Sequence, residues 1–160
     1  MLYICTYKCC SDMNVEAIIK TATLPPRRRT MIHLMLVNNR IGEAMAQTLK
    51  PFGLSMQQFN VLRILRGQKG QPANMRTLNE RMVSKMSNTT RLVDKLIAKG
   101  LVRRNVCPEN RRKVEIFLTD TGKEQLEDMS AAVDAQEHAL MENFSDDDLR
   151  RLNELLDLIK

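Results

Sequence analysis

Two short polar stretches contain the side chains that are best suited to contact a nucleic acid. The first, "SNTTRLVDKLIAK" from residue 87 to 99, places amide, hydroxyl and cationic side chains at helical spacing. The second, "RRK" at 111–113, puts three cations in a turn between the strand-like runs "LVRR" and "VEIFLT". Asparagine can form two hydrogen bonds to an adenine edge, and arginine or lysine binds phosphate. These residue types indicate contact with a polyanion, although a solvated polar surface has the same composition.

The helices that must position the first stretch follow from capping residues and apolar spacing. Ser55 with Gln58 predicts a capping box before "MQQFNVLRIL", and Asn74 can cap a short helix over "MRTLNERM". Gly100 predicts the end of the next helix. The predicted apolar face of that helix consists of Thr89, Leu92, Val93, Leu96 and Ile97. A short helix, a turn and a second helix with a free polar face is the helix-turn-helix layout.

The hairpin and two further helices complete the predicted C-terminal part. The runs "LVRR" and "VEIFLT" are joined by turn residues and predict a β-hairpin, which turns the helix-turn-helix into a winged helix. Thr121 and Glu124 stand at capping-box spacing and predict the start of a long helix. Ser145 and Asp148 predict the start of a last one. Both helices repeat apolar residues about every three and a half positions, which indicates a seam for partners.

The N-terminal side predicts a break followed by one helix. Paired prolines in "TLPPRRRT", residues 23–30, predict non-helical structure. From Met31 to Leu49 the apolar spacing predicts a helix that is apolar on more than one side. Residues 1–12 differ in composition from the rest, and we interpret them as an extension or an artefact of the chosen start.

Charge is distributed unevenly along the 160 residues, whose formal net charge is +6. Residues 1–73 and 74–118 each carry a net +7, whereas residues 119–160 carry −8. Such asymmetry predicts a polyanion-binding part followed by an acidic part with another task. The length favours one domain with appendages, and no apolar run reaches the roughly 20 residues of a membrane span. We therefore expect a cytoplasmic protein.

Catalytic and metal-binding constellations are not recognisable in the sequence. Three cysteines crowd into the first ten residues and the fourth is Cys107, so we expect four free thiols rather than zinc ligands or disulfides. The two histidines, His33 and His138, have no partners at catalytic spacing. The sequence predicts no enzyme, no metal and no cofactor.

The chain resembles the MarR family of bacterial and archaeal winged-helix transcription regulators. Two motifs carry the resemblance: "SNTTRLVDKLIAKGLVRR" is similar to the family's recognition helix and first wing strand, and "CPENRRKVEIFLTDTGKE" to its wing and the opening of its dimerisation helix. Two features depart from the family pattern. Asn110 stands where Asp is common, and residues 1–30 extend beyond the usual start.

The resemblance implies a mainly α fold with a small β-hairpin wing, namely a winged helix-turn-helix domain with interlocking N- and C-terminal dimerisation helices. It implies four parts: an N-terminal extension, partly flexible, at 1–30, a dimerisation helix at 31–50, the winged domain at 51–120, and C-terminal dimerisation helices at 121–160. It also implies a homodimer on a pseudo-palindromic duplex in the prokaryotic nucleoid. A small amphipathic or phenolic effector is the expected ligand, and the expected function is ligand-responsive repression.

Residue types assign roles within this framework. Ser87, Asn88 and Thr90 are predicted to reach base edges or phosphates. Lys85, Arg91 and Lys95 are better suited to phosphate. Arg111 or Arg112, followed by Lys113, can enter a narrow minor groove, where the negative potential is strongest.

Three alternatives remain open at this point. The winged domain can instead serve as a protein-interaction or assembly module with vestigial DNA binding. Met35, Met45, Met56 and Met82 can line an adaptable pocket, although core packing is the commoner reason for such residues. Oxidation of Cys107 beside the wing is a possible redox variant of the regulation.

Overall fold

The computed structural model describes residues 14–82, 89–107 and 110–159, with side chains described except at positions 106, 107 and 110–113. Within these ranges the chain forms seven α-helices, a 3₁₀ turn at Lys50–Phe52 and one hairpin. The helices are α1 Val15–Ile18, α2 Pro26–Leu49, α3 Met56–Arg66, α4 Met75–Arg81, α5 Thr89–Ala98, α6 Asp120–Met141 and α7 Asp146–Asp157, and the strands are β1 Val102–Cys107 and β2 Asn110–Leu118.

The described residues up to Gly42 form one compact unit, and the described residues from Glu43 onward form another. In the first unit, the side chain of Asn14 caps α1 by accepting a hydrogen bond from the backbone N–H of Ala17 at 3.1 Å. Arg29 in the first turns of α2 donates to Glu16 in α1, with Nε and Oε1 2.9 Å apart. This ion pair ties α1 to the start of α2.

Helix α2 begins at Pro26, so the prediction of non-helical structure over residues 23–30 was wrong at that point. Proline is well tolerated in the first turn of a helix, because its missing N–H would have no intrahelical partner there. The Pro-Pro pair therefore starts the helix, and the arginines that follow it lie in the first turns. The predicted end at Leu49 is confirmed.

Caps start the helices of the second unit. The capping box of Ser55 and Gln58 is confirmed, with the Ser55 N–H donating to Gln58 Oε1 at 3.0 Å and the Gln58 N–H to Ser55 Oγ at 3.3 Å. Asn74 caps α4 by accepting from the N–H of Thr77 at 2.9 Å. A second capping box, of Ser145 and Asp148, starts α7, and its hydrogen bonds hold the pKa of the Asp148 carboxyl below its ordinary value.

The start of α6 differs from the sequence prediction. Thr121 and Glu124 do not cap this helix; the N-cap is Thr119, whose Oγ1 accepts a hydrogen bond from the N–H of Gly122 at 3.0 Å. The same hydroxyl donates to the carbonyl of Gly100 at 2.7 Å. Thr119 is preferred as the cap because its extended backbone at the end of β2 lets one hydroxyl join both elements.

The core of the second unit lies between α3, α5, the hairpin and α6. Its members share almost complete burial and include Phe59, Leu62, Leu78, Val93, Leu96, Leu101, Ile116, Leu126 and Met129. Strands β1 and β2 pair antiparallel from Val102 opposite Leu118 to Val106 opposite Val114, after which the register shifts. Ala73 bridges Ile116 on the other side of β2, with N–O distances of 3.0 and 2.8 Å.

This order of elements confirms the predicted mainly helical fold with a small hairpin and gives the winged helix-turn-helix arrangement. The strands are longer than predicted, since β1 extends to Cys107 and β2 begins at Asn110. In the part of the chain that is described, no helix is long and apolar enough to cross a membrane.

Candidate nucleic-acid interface

Helix α5 presents a polar, cationic face to solvent. Thr89, Val93 and Leu96 are buried, whereas Thr90, Arg91 and Lys95 are exposed. In the described ranges, neither Arg91 nor Lys95 forms a salt bridge, so both charges remain available to an external anion. The predicted division of this helix into an apolar and a polar face is confirmed. Lys85, Ser87 and Asn88 lie outside the described residues.

Helices α4 and α5 are joined by a polar contact inside the domain. The hydroxyl of Thr89, only 3% exposed, donates a hydrogen bond to the side-chain oxygen of Asn79 in α4. A buried hydroxyl needs such a partner, because leaving it unpaired is costly. Thr89 was predicted only as a member of the apolar face. The contact links the first residue of α5 to α4.

The predicted wing residues lie on the hairpin. Arg111, Arg112 and Lys113 belong to β2 and follow the register shift at the hairpin end; their side chains, and those of Asn110 and Cys107, lie outside the described part. The structure therefore places the backbone of the wing cations at the end of the hairpin far from α6. It leaves their contacts, the role of Asn110 and the redox variant at Cys107 as predictions.

An ion pair connects α5 to the wing strand. Arg104 Nη2 in β1 lies 2.6 Å from Asp94 Oδ1 in α5. With side chains 35% and 53% exposed, the pair contributes little stability, typically about 0–1 kcal/mol. Its effect is positional, because it ties the helix with the polar face to the strand that leads to the wing. This pair was not predicted from the sequence, where its signal is a single acid, Asp94, in an otherwise cationic helix.

The base of the hairpin is fixed closely to the first turn of α6. Gly100 ends α5 with a left-handed φ of 72°, as predicted for a C-terminal glycine. The backbone N–H of Thr119 donates to the carbonyl of Leu101 at 3.1 Å. Gly122 lies so near this carbonyl that a Cβ atom there would stand 2.1 Å from the Leu101 oxygen. The close contact sets where α6 leaves the winged domain.

In the described part of the chain, the four methionines named above and the two histidines form no recognisable site. Met45 and Met82 are buried in the core, whereas Met35 is 65% exposed. Met56 and His33 are half-buried, and His138 is exposed. Within residues 14–82, 89–107 and 110–159, no group of three or more His, Cys, Asp or Glu side chains is placed to hold a metal ion.

Comparisons with known proteins agree on one family. The MarR family model matches residues 54–114. The HTH-type transcriptional repressor YetL of Bacillus subtilis (strain 168) is 29% identical over 117 residues, which cover 73% of this chain and 70% of the repressor.

Two solved structures extend the match to most of the chain. A MarR transcription factor from Planctomyces limnophilus is 30% identical with a TM-score of 0.67, covering 86% of this chain and 99% of its own. CouR from Rhodococcus jostii RHA1, solved bound to p-coumaroyl-CoA, is 28% identical with a TM-score of 0.69, covering 81% and 90%. YetL and the Planctomyces limnophilus protein are transcription regulators and not enzymes. The chain therefore belongs to the MarR family of transcription regulators.

Proposed function

We propose that the chain is a sequence-specific DNA-binding repressor that acts as a homodimer on a pseudo-palindromic operator and is released by a small ligand. The observation that carries the proposal is the exposed face of α5, where Arg91 and Lys95 have no salt-bridge partner among the described residues. The Asp94–Arg104 pair supports it, because it holds the wing strand beside this helix. Such a protein works in the cytoplasm, with the nucleoid.

Within this proposal each predicted residue keeps one role. Ser87, Asn88 and Thr90 contact base edges or neighbouring phosphates, and Lys85, Arg91 and Lys95 bind phosphates. Arg111 and Arg112 enter the minor groove beside the half-site, with Lys113 on the adjoining backbone. Phosphate contacts set the register and strength of binding, and the base contacts supply the sequence preference.

Dimerisation is supported by an apolar surface on α7 and the residues after it. Leu155 is 57% exposed, Leu158 74% and Ile159 57%. Exposed leucine and isoleucine side chains grouped at the end of a helix indicate a surface that another chain covers. A twofold dimer presents two recognition helices about one DNA turn apart, which matches successive major grooves. The acidic 119–160 segment then serves as scaffold, away from phosphate.

The effector class is proposed from relatives. CouR, 28% identical over most of this chain, was solved with p-coumaroyl-CoA, a phenolic acyl group on a polar carrier. A small amphipathic or phenolic molecule is therefore the expected effector of this chain too. Binding of such a molecule would lower operator affinity if it favours a dimer geometry that separates the two recognition helices.

A salt-dependent gel shift tests DNA binding. The chain should bind a random duplex weakly and recovered genomic fragments tightly, and the logarithm of the binding constant should fall linearly with the logarithm of salt concentration. Absence of binding, or binding without a salt slope, would favour the alternative that the winged domain is a protein-interaction module.

The wing makes a second prediction. Replacing Arg111 and Arg112 together with Ala should weaken operator binding by about tenfold or more and reduce the salt slope by roughly 2, since two cations are lost from the interface. The dimer should remain intact. Arg150→Ala, which removes an exposed cation of α7 from a side of the helix away from Leu155, is the control. Unchanged affinity in the wing variant would show that the wing does not touch DNA.

A further inference from the structure

Arg104 starts from a row of the hairpin that otherwise faces the core. Side chains alternate along a strand, so Val102 and Arg104 share one face of β1. Val102 is 2% exposed, and Ile116, which pairs with Arg104 across the hairpin, is fully buried. Arg103 lies on the other face, over the Phe117 ring and 4.1 Å from its centroid. The stem of Arg104 therefore begins on the apolar side of the hairpin, and its guanidinium reaches the surface beside α5.

Asp94 occupies the middle of the exposed face of α5. It lies three residues after Arg91 and four after Thr90, which is the spacing of neighbours on one side of a helix. All three side chains are exposed. The carboxylate pairs with Arg104 of β1, and within the described ranges Arg91 forms no ion pair. Asp94 thus brings a cation of the hairpin to the face of α5 that carries the proposed DNA contacts.

Most donors of the Arg104 guanidinium remain available. The group carries more N–H donors than one carboxylate oxygen can accept from. Among the described residues Asp94 is its one hydrogen-bond partner, and the bond uses Nη2. The carboxylate therefore fixes the planar group and leaves donors for a second anion.

The position of this guanidinium matches the course of a DNA strand. A recognition helix lies in the major groove, and a wing enters the minor groove beside it. Adjacent grooves of a duplex are separated by one sugar-phosphate strand. In such a complex, a group that bridges α5 and β1 lies opposite that strand, between the groove of the helix and the groove of the wing.

We propose that Arg104 binds a phosphate of the strand between the two grooves and that Asp94 positions its guanidinium for this contact. This contact deepens the proposed function and rests on it, because it belongs to the same interface. Arginine suits the role, since its planar group can donate to a carboxylate and to a phosphate oxygen at the same time. Without Arg104, the carboxylate of Asp94 would face the phosphates unpaired and repel them.

Two variants that break the same ion pair from opposite sides test the proposal, with a recovered genomic fragment and a random duplex as probes at several salt concentrations. Arg104→Gln removes the cation and leaves the carboxylate. Affinity for both probes should fall several-fold, and the salt slope should decrease by about 1. Asp94→Asn removes the carboxylate and leaves the cation. Its salt slope should not decrease, and its preference for the genomic fragment should narrow, because the guanidinium is no longer fixed.

A purely structural ion pair gives a different result. If the pair only holds β1 against α5, both variants lose the same link and should weaken binding equally. Equal losses in Arg104→Gln and Asp94→Asn, or a wild-type salt slope in Arg104→Gln, would overturn the proposal. Arg104→Lys keeps the charge without the planar fork, so it should keep the slope and bind more weakly. A reduced slope in this variant would also contradict the proposal, and it keeps the test usable if Arg104→Gln is unstable.

Arg150→Gln is the matched control. Arg150 Nη2 lies 2.6 Å from Asp147 Oδ1 in α7, so this variant also breaks an exposed arginine–aspartate pair of the same length. It lies in the acidic segment and should leave affinity and salt slope unchanged. A decrease in slope as large as that of Arg104→Gln would overturn the proposal, because any exposed arginine would then have the same effect.

Failure of this contact and failure of the proposed function are distinguishable. A wild-type chain that binds duplex without a salt slope would overturn the proposed function and this contact with it. A slope that Arg91→Gln lowers by about 1 and Arg104→Gln leaves intact would overturn this contact alone.

Discussion

Replacing Leu155 with Glu should convert the proposed dimer into monomers and lower the affinity for a duplex with two half-sites by about 10²–10⁴-fold. The side chain is 57% exposed in the single chain, so a glutamate there faces water and should not disturb folding of the protomer. In a dimer the same carboxylate would be buried without a partner, which strongly disfavours the interface. A monomer loses the gain in effective concentration that the second half-site provides.

Light scattering and a DNA titration check this result on the same samples. The wild-type chain should show twice its 18.4 kDa mass, and Leu155→Glu should show the mass of one chain. Asn153→Glu introduces the same charge on an exposed position about half a helical turn from Leu155 and should remain dimeric. A monomeric wild type, or a dimeric Leu155→Glu, would remove the argument for a twofold operator.

Replacing Gly122 with Ala should lower the free energy of unfolding by about 3 kcal/mol. The added Cβ would stand 2.1 Å from the Leu101 carbonyl oxygen and 3.0 Å from Leu118 Cδ1. The nearer atom is backbone, held by the hydrogen bond from the N–H of Thr119, so it cannot move aside cheaply. This clash outweighs the gain of up to about 1 kcal/mol that alanine usually brings to a helix.

Thermal unfolding at fixed protein concentration measures the change. A loss of about 3 kcal/mol corresponds to a decrease of roughly 6–12 °C in Tm for a chain of this size. Gly67→Ala is the matched control, because Gly67 has a right-handed φ of −63° and a Cβ there would meet its nearest neighbour, a carbonyl oxygen, at 3.4 Å. It should leave Tm unchanged or slightly higher. An equal Tm in Gly122→Ala would mean that the first turn of α6 can shift away from Leu101.

Local signals predicted the helices of the second unit well. The caps at Ser55, Asn74 and Ser145 are short-range hydrogen bonds between residues three positions apart, which the sequence encodes directly. The two faces of α5 follow from helical periodicity. The predicted cap of α6 at Thr121 was wrong. Thr119 caps the helix instead, because its hydroxyl accepts a hydrogen bond from the Gly122 N–H and also donates one to the Gly100 carbonyl. That second partner is 19 residues away and has no local signature.

The sequence was sufficient to predict which cations lie on the exposed face of α5, but not which contacts join α5 to the hairpin. Arg91 and Lys95 could be assigned to a polar face because they lie on the same helix as the apolar residues that define it. The Arg104–Asp94 pair forms only when α5 and β1 meet. Adjacent arginines in β1 point to opposite faces of the hairpin, so Arg103 and Arg104 take part in different contacts.

The Arg104–Asp94 ion pair has a consequence for exchanging sequence preference between regulators. A recognition helix transplanted from a relative would replace position 94 together with the base-reading residues. Without an acid there, Arg104 would lose its partner and β1 its link to α5. Successful grafts into this scaffold should therefore carry Asp or Glu at position 94, or replace Arg104 at the same time, so that helix and wing are exchanged as one module.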